Sequence, residues 1–234
     1  MSPISPHGSP PDVGVLLPAA GKGERAGDGA PKQFRFIAGV PMLLRAIRPF
    51  ASHPRVRQVV VALPAKDASA PPDWLAAVVG DRLRLVAGGA TRAASVRRAL
   101  DALDPACALV LVHDAARPFV SAAEIDAVIA AVEQGTGALV AVPVSDTLKR
   151  SEDGRHVLAT PSRAGLYRAL TPQGFPRAML AAAYATGGDA LDATDDAGLV
   201  EAAGGTIVLV PGRTTNIKVT TPDDFALAEA LARP

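Results

Sequence analysis

Short runs of apolar residues alternate along the chain with segments whose apolar positions recur at helical spacing. A continuous apolar run without polar alternation is typical of a strand that is buried on both faces of a sheet. Such runs predict strands at 13–17, 58–63, 84–87, 108–112, 138–142 and 206–210. Because helical segments separate most of these strands, the chain is predicted to have an α/β fold. Its sheet should be Rossmann-like, mainly parallel and flanked by helices.

Several predicted helices begin at residues that favour helix starts. Ser121 followed by Glu124 is a capping-box pattern, which predicts a helix that continues to Glu133. Pro41 and Pro222 stand in the first turn of two other predicted helices, where proline is well tolerated. Together with the helix at Ser121, apolar positions at helical spacing predict helices at 41–50, 73–79, 91–103, 176–184, 195–203 and 222–232.

The alternation of strands and helices stops between 145 and about 171. Two short extended runs, 147–150 and 156–160, flank the sequence Glu152-Asp153-Gly154-Arg155. An Asp-Gly pair between two extended runs is a hairpin signal. We therefore interpret 145–171 as a β-hairpin arm that protrudes from the sheet.

Composition supports one globular domain. Hydrophobic residues make up 49% of the 234 residues, and the formal net charge is +1. That charge balance gives no reason to expect a nucleic-acid partner. We expect a single domain over 13–234, including the arm, and a disordered Pro/Ser-rich tail over 1–12.

The cellular compartment is predicted from what the sequence lacks. Residues 1–12 have no apolar core of a secretory signal, and no apolar run reaches the ~18 residues of a membrane span. The single cysteine, Cys107, cannot form a disulfide within the chain and is interpreted as a small buried hydrophobe. Absence of disulfides is typical of the cytoplasm, where we expect this protein.

The loop after the first strand is rich in glycine and positive charge, a pattern that predicts phosphate binding. Gly21-x-Gly23-x-x-Ala26 also fits the dinucleotide fingerprint. That fingerprint requires an acidic residue about 20 positions later, and none occurs over 31–66. A P-loop is excluded because no Gly-Lys-Ser/Thr follows. A basic surface loop without a ligand remains the alternative to a phosphate site.

Three further loops should lie beside this one, because ligands bind beyond the carboxyl ends of parallel strands. In loop 87–95, two glycines permit close approach to a planar group, and Ser95 could reach a base edge; a tight turn is the alternative. In loop 113–119, Asp114 could accept hydroxyls or approach a metal ion, and Arg117 could bind phosphate. A structural pair between these two residues is the alternative. Loop 143–147 completes the group.

No catalytic nucleophile is predicted. There is no G-x-S-x-G motif, and the four histidines lack metal-ligand spacing. Lys218, on a predicted strand at 216–219, would by itself be more typical of a solvated edge residue. Glycine-rich loops and scattered cations without a nucleophile favour phosphoryl or nucleotidyl transfer through positioning and electrostatics.

Eight motifs occur in the order found in 2-C-methyl-D-erythritol 4-phosphate cytidylyltransferases, and the chain resembles that family from Val13 to Ala232. The motifs are Pro18-Ala19-Ala20-Gly21-x-Gly23-x-Arg25, Pro31-Lys32-Gln33, Gly88-Gly89-x-x-Arg92-x-x-Ser95-Val96, His113-Asp114-Ala115-Ala116-Arg117-Pro118, Asp146-Thr147-Leu148-Lys149, Leu170-Thr171-Pro172-Gln173, Thr194-Asp195 and Asn216-Ile217-Lys218-Val219-Thr220.

The resemblance implies that CMP is transferred from CTP to methylerythritol phosphate, with Mg²⁺ held mainly by the triphosphate near Asp114. It also implies a homodimer, in which the arm carries Thr147 and Arg163 toward the partner's site. By motif position, the residues with implied catalytic roles are Arg25, Lys32, Arg163 and Lys218. Those with implied substrate-binding roles are Pro18, Ala19, Ala20, Gly21, Gly23, Gly89, Ser95, Asp114, Ala115, Arg117, Thr147, Thr171 and Thr194.

The sequence departs from the family pattern at a few positions. Ala90 stands where an acid is frequent, so no side-chain contact to the base is expected there, and Pro161 precedes Arg163 in the arm. Two alternatives remain open from sequence. One is a ribitol 5-phosphate cytidylyltransferase or a related sugar-phosphate nucleotidyltransferase, and the other is a nucleotide sensor without catalytic activity.

Overall fold

The protein is described by a computed structural model at residues 12–21, 31–186 and 194–233. Two strands of this part pair as a small hairpin, β2 (Phe36–Ile37) and β3 (Val40–Pro41). Seven others form one sheet: β1 (Val13–Pro18), β4 (Val56–Leu63), β5 (Leu83–Ala87), β6 (Leu109–Val112), β7 (Gly137–Pro143), β8 (Tyr167–Pro176) and β9 (Ile207–Pro211).

The order of strands in the large sheet is β5-β4-β1-β6-β8-β7-β9. β1 pairs in parallel with β4 and β6, β4 with β5, and β7 with β9. Within this large sheet of the described residues, β8 alone runs antiparallel to its neighbours, β6 and β7. The predicted mainly parallel sheet is confirmed.

Helices cover both faces of the sheet. In the described residues the α-helices are α1 (Met42–Ala51), α2 (Ala65–Ser69), α3 (Asp73–Ala76), α4 (Arg92–Asp101), α5 (Ala122–Val132), α6 (Arg177–Ala185), α7 (Asp196–Ala202) and α8 (Pro222–Ala232). Successive strand residues point to opposite faces. Val15 and Leu17 therefore pack in one core with α1 and α5, and Leu16 packs in a second core with α4, α6 and α7.

The predicted helix starts are confirmed at two places. The Ser121 hydroxyl accepts a hydrogen bond from the Glu124 amide, and the Glu124 carboxylate accepts one from the Ser121 amide. Thr221 and Asp224 form the same reciprocal pair at the start of α8, where Pro222 is the first helical residue. These caps satisfy amides that would otherwise lack partners in the first turn.

Two predictions of local structure are wrong. The segment 216–219 is not a strand, because its backbone and Asn216 are bound by other loops instead of a sheet edge. The segment 167–176 is a strand, β8, so the excursion from the sheet ends near 166 and not at 171. Pro172 lies inside that strand and, having no amide hydrogen, weakened the sequence pattern for it.

The arm is a minimal hairpin. One antiparallel bridge joins Arg150 to Ala159, and Gly154 adopts a positive φ of 71° in the turn. The Asp153 carboxylate closes the turn by accepting hydrogen bonds from the Arg155 and His156 amides, both at 2.8 Å. Large apolar side chains of the arm are exposed, 62% at Val157 and 61% at Leu158.

The predicted tail lies outside the described residues except for Asp12. The Asp12 carboxylate accepts a hydrogen bond from the Arg55 guanidinium at 2.7 Å, so its side chain is attached to the domain. No helix in the described part of the chain is long and apolar enough to cross a membrane.

Candidate active site

A cavity of about 780 Å³ opens at the carboxyl ends of β1, β5 and β6. Ten residues that the sequence nominated line it: Pro18, Ala19, Ala20, Gly21, Lys32, Gly89, Ser95, Asp114, Ala115 and Lys218. Loop 143–147 contributes nothing to the described lining. A second cavity of similar volume lies beside Gly80 and Leu83, away from these loops.

The loop that follows β5 lies directly against the loop that follows β1. A Cβ on Gly88 would clash with the Cβ of Ala20, and one on Gly89 would clash with Ala94 on α4. Glycine at position 88 therefore permits the close approach of the two loops, and glycine at position 89 permits the loop to pack on the start of α4. The predicted approach of these glycines to a planar ligand stays a prediction.

Hydrogen bonds from Ser95, on α4, fix the conformation of the loop that follows β5. The Ser95 hydroxyl accepts a hydrogen bond from the Gly89 amide at 3.0 Å and donates one to the Thr91 carbonyl at 2.9 Å. The Arg98 guanidinium donates to the Gly88 carbonyl at 2.7 Å. Side chains of α4 therefore set the backbone conformation of this loop, which lines the cavity.

Asp114 is the electrostatic centre of the cavity. Its Oδ2 lies 2.8 Å from Lys218 Nζ and 3.8 Å from Arg117 Nε, and its Oδ1 lies 3.3 Å from Arg92 Nε. Burial alone would raise the pKa of the carboxyl group, but Arg92 and Lys218 outweigh burial and hold the pKa well below its ordinary value. Asp114 is therefore an anion at neutral pH.

Asn216 brings Lys218 to Asp114. Its side-chain amide donates to the Thr171 carbonyl at 2.9 Å and to the Glu124 carboxylate at 3.3 Å. The backbone carbonyl of Asn216 accepts a hydrogen bond from the Arg117 guanidinium at 2.8 Å. Glu124, predicted only as a helix cap, thus also anchors the segment that carries Lys218. Asn216 belongs to one of the sequence motifs, but sequence reasoning assigned it no structural role.

Arg117 and Thr171 lie beneath the cavity floor and are not in its lining. Both are buried, and Thr171 Oγ1 accepts a hydrogen bond from the Asp114 amide at 3.1 Å. Thr171 Oγ1 also lies 2.9 Å from His113 Nδ1, and His113 Nε2 lies 2.9 Å from the Arg117 carbonyl. In this conformation Arg117 and Thr171 support the loop that presents Asp114.

His113 is kept neutral by its surroundings. The ring is fully buried, which lowers its pKa to about 4. Because the Arg117 carbonyl can only accept, Nε2 carries the proton and Nδ1 accepts from the Thr171 hydroxyl. The histidine is therefore a structural hydrogen-bonding group at neutral pH.

Arg92 is a cavity residue to which sequence reasoning assigned no role. Its Nη1 donates to Asp196 Oδ2 at 2.7 Å while its Nε faces Asp114. Burial opposes the charge of Arg92, but Asp196 and Asp114 outweigh that effect and raise its pKa. The available signal was its place in the Gly88-Gly89-x-x-Arg92 motif, but its partner Asp196 is distant in sequence.

Three nominated residues of the described part of the chain are not brought to the cavity. Thr147 and Arg163 are exposed in the arm, where the Arg163 guanidinium donates to the Ser145 carbonyl. Thr194 is exposed just before the Asp195 cap of α7. Gly23 and Arg25 lie outside the described residues.

A family model and similar enzymes identify the family to which this chain belongs. The model of the 2-C-methyl-D-erythritol 4-phosphate cytidylyltransferase family, IspD, matches residues 13–233. The enzyme of that name from Frankia casuarinae is 46% identical over 94% of this chain and 81% of its own length, and that from Salinibacter ruber is 46% identical over 94% and 92%.

A solved structure agrees with these relatives. The crystal structure of the Thermus thermophilus 2-C-methyl-D-erythritol 4-phosphate cytidylyltransferase is 39% identical, with a TM-score of 0.80 over 95% of this chain and all of that one. The two chains therefore share one fold over nearly their whole lengths. The chain belongs to the 2-C-methyl-D-erythritol 4-phosphate cytidylyltransferase family.

Proposed function

We infer that this chain transfers CMP from CTP to 2-C-methyl-D-erythritol 4-phosphate, releasing pyrophosphate and forming CDP-methylerythritol for isoprenoid synthesis. The observation that carries this inference is the match to one enzyme family over nearly the whole chain. The cavity supports it, because glycine-containing loops and the cations Lys32 and Lys218 converge there.

The reaction needs no protein nucleophile. A phosphate oxygen of the methylerythritol phosphate attacks the α-phosphorus of CTP and forms a new P–O bond. The bond from that phosphorus to the oxygen bridging to the β-phosphate breaks, and pyrophosphate leaves with the electron pair. Since the attacking oxygen is already ionised at neutral pH, catalysis reduces to positioning and to stabilising negative charge.

The lining residues divide by the part of the reaction that they would serve. Backbone groups of Pro18 to Gly21 and of Gly89, with Ala115, would contact cytosine and ribose, while Ser95 fixes the Gly89 loop. Lys32, with Arg25 from outside the described residues, would stabilise charge on the α-phosphate. We propose that Lys218 binds the substrate's phosphate and that Asp114 accepts hydrogen bonds from its hydroxyls.

We propose Mg²⁺ as the cofactor, held chiefly by the triphosphate of CTP. Within the described residues, no three His, Cys, Asp or Glu side chains come together as a metal site. Asp114 is the one carboxylate in the described cavity lining, and cations already surround it. These residues fit an ion that uses few protein ligands. When bound, Mg²⁺ would neutralise charge on the phosphate oxygens.

We further propose a homodimer formed through the arm, in the cytoplasm. Val157 and Leu158 expose large apolar surfaces that a partner arm would cover. Thr147, Arg163 and Thr194 are absent from the described lining of the cavity, and a partner's arm would supply the first two to the shared site. Cys107 is buried and free, which suits a reducing compartment.

The function is tested by incubating the chain with Mg-CTP and methylerythritol phosphate and following both phosphorus products by ³¹P NMR. We expect pyrophosphate and CDP-methylerythritol in equal amounts, and neither product when the methylerythritol phosphate is omitted. Binding of CTP without either product would instead indicate a nucleotide sensor.

A further inference from the structure

Two cations hold the carboxylate of Asp114 from two sides. Arg92 Nε approaches Oδ1 at 3.3 Å, and Lys218 Nζ approaches Oδ2 at 2.8 Å. The two cations differ in how firmly they are themselves held. The Lys218 side chain is 46% exposed and pairs with Asp114, whereas the Arg92 side chain is 32% exposed and also pairs with a second carboxylate.

That second carboxylate, Asp196, is fully buried at the start of α7. Its Oδ2 accepts from Arg92 Nη1 at 2.7 Å, and its Oδ1 accepts from the Tyr184 hydroxyl at 2.6 Å. A buried carboxylate is costly unless it is paired, so Asp196 and Arg92 hold each other strongly in place. The planar guanidinium reaches two carboxylates at once, which a lysine ammonium in the same place does far less well.

The proposed function requires Lys218 to change partners. A substrate phosphate carries more negative charge than a carboxylate and would attract Lys218 away from Asp114. Arg117 Nε, at 3.8 Å from Oδ2, is too distant for a good hydrogen bond. After the exchange, Arg92 is the cation that still holds Asp114.

We infer that Arg92 is a positioning residue that keeps Asp114 directed at the hydroxyls of the polyol substrate when Lys218 moves to the substrate's phosphate. This inference rests on the proposed function. Without Arg92, the Asp114 carboxylate would follow Lys218 and repel the incoming phosphate. The effect should therefore fall on the polyol phosphate and not on CTP.

A purely structural role would give a different result. Arg92 also joins α4 to α7, and loss of that link alone would lower stability and disturb both substrates together. Arg98 offers a matched control, since it lies on the same helix and contacts the Gly88 carbonyl on the nucleotide side. Loss of Arg98 should leave the KM for the polyol phosphate unchanged.

The test compares Arg92→Ala, Arg92→Lys and Arg98→Ala in the full chain, with KM measured separately for each substrate. We expect Arg92→Ala to raise the KM for methylerythritol phosphate roughly tenfold or more and the KM for CTP less than about threefold. Added ethylguanidinium should recover part of the loss. Arg92→Lys keeps the positive charge and should show a smaller rise in the KM for methylerythritol phosphate. It also provides the test if Arg92→Ala does not fold.

Equal changes in both KM values, no change in either, or an Arg98→Ala effect on the polyol as large as that of Arg92→Ala would overturn the inference. In each of those cases, turnover by the unchanged chain would leave the proposed function standing. If the unchanged chain makes no CDP-methylerythritol, the proposed function and this inference both fail.

Discussion

The ammonium of Lys218 lies 2.8 Å from the carboxylate of Asp114, although the two residues come from loops far apart in sequence. Asn216 makes this contact possible by binding the segment before Lys218 to the floor of the cavity. The pair is placed to part when a phosphate arrives, because Lys218 is half-exposed while Asp114 is anchored.

Replacing Lys218 by alanine should lower kcat/KM for methylerythritol phosphate about a hundredfold, because the charge that meets the substrate phosphate is lost. Steady-state kinetics with saturating CTP measures this. Lys66→Ala is the control, since Lys66 is exposed on α2 and does not line the cavity. An unchanged kcat/KM in Lys218→Ala would remove Lys218 from the substrate site.

Lys32→Ala should lower kcat about a hundredfold or more, the usual scale for loss of one charge contact to a transition state. Lys32 lines the cavity, and we propose that it lies against the α-phosphate of CTP. Single-turnover measurements with both substrates saturating would isolate the chemical step. A near-normal rate in that experiment would contradict a role for Lys32 in charge stabilisation.

Removing residues 151–154, or changing Leu158 to aspartate, should convert a dimer into a monomer with little activity. The reason is that Leu158 and Val157 present the exposed apolar surface of the arm. Sedimentation velocity gives the oligomeric state of each variant, and the same samples are assayed for turnover. Val78→Asp, at an exposed apolar position away from the arm, should remain dimeric. Full activity in a verified monomer would exclude a shared site.

His113 predicts how stability depends on pH. Its pKa is about 4 when folded, against an ordinary 6.5, because burial disfavours the charged ring. Below pH 6.5 the unfolded chain takes up a proton that the folded chain does not. The stabilisation is therefore complete above pH 6.5 and is lost as the pH falls toward 4, by up to about 1.4 kcal/mol per pH unit.

Urea unfolding at several pH values between about 4.5 and 7.5 tests this dependence. His113→Gln retains a polar side chain but cannot titrate, so its free energy of unfolding should fall less steeply with decreasing pH. Identical slopes in the two proteins would show that His113 is not the group responsible.

The sequence predicted those features that depend on local pattern. Buried strands such as β1 show as apolar runs because both faces are covered, and the cap at Ser121 shows because its partner Glu124 is three residues away. β8 was missed because Pro172 interrupts its pattern. Arg92 was missed because its significance depends on Asp196, a contact that only the packing of α4 against α7 creates.

The central claim concerns the choice of acceptor, and the ratio of two kcat/KM values tests it most directly. Turnover of Mg-CTP is measured with methylerythritol phosphate and with ribitol 5-phosphate under identical conditions. We predict a preference for methylerythritol phosphate of roughly tenfold or more, since Asp114 must match the substrate's hydroxyls. A preference for ribitol 5-phosphate would contradict this account.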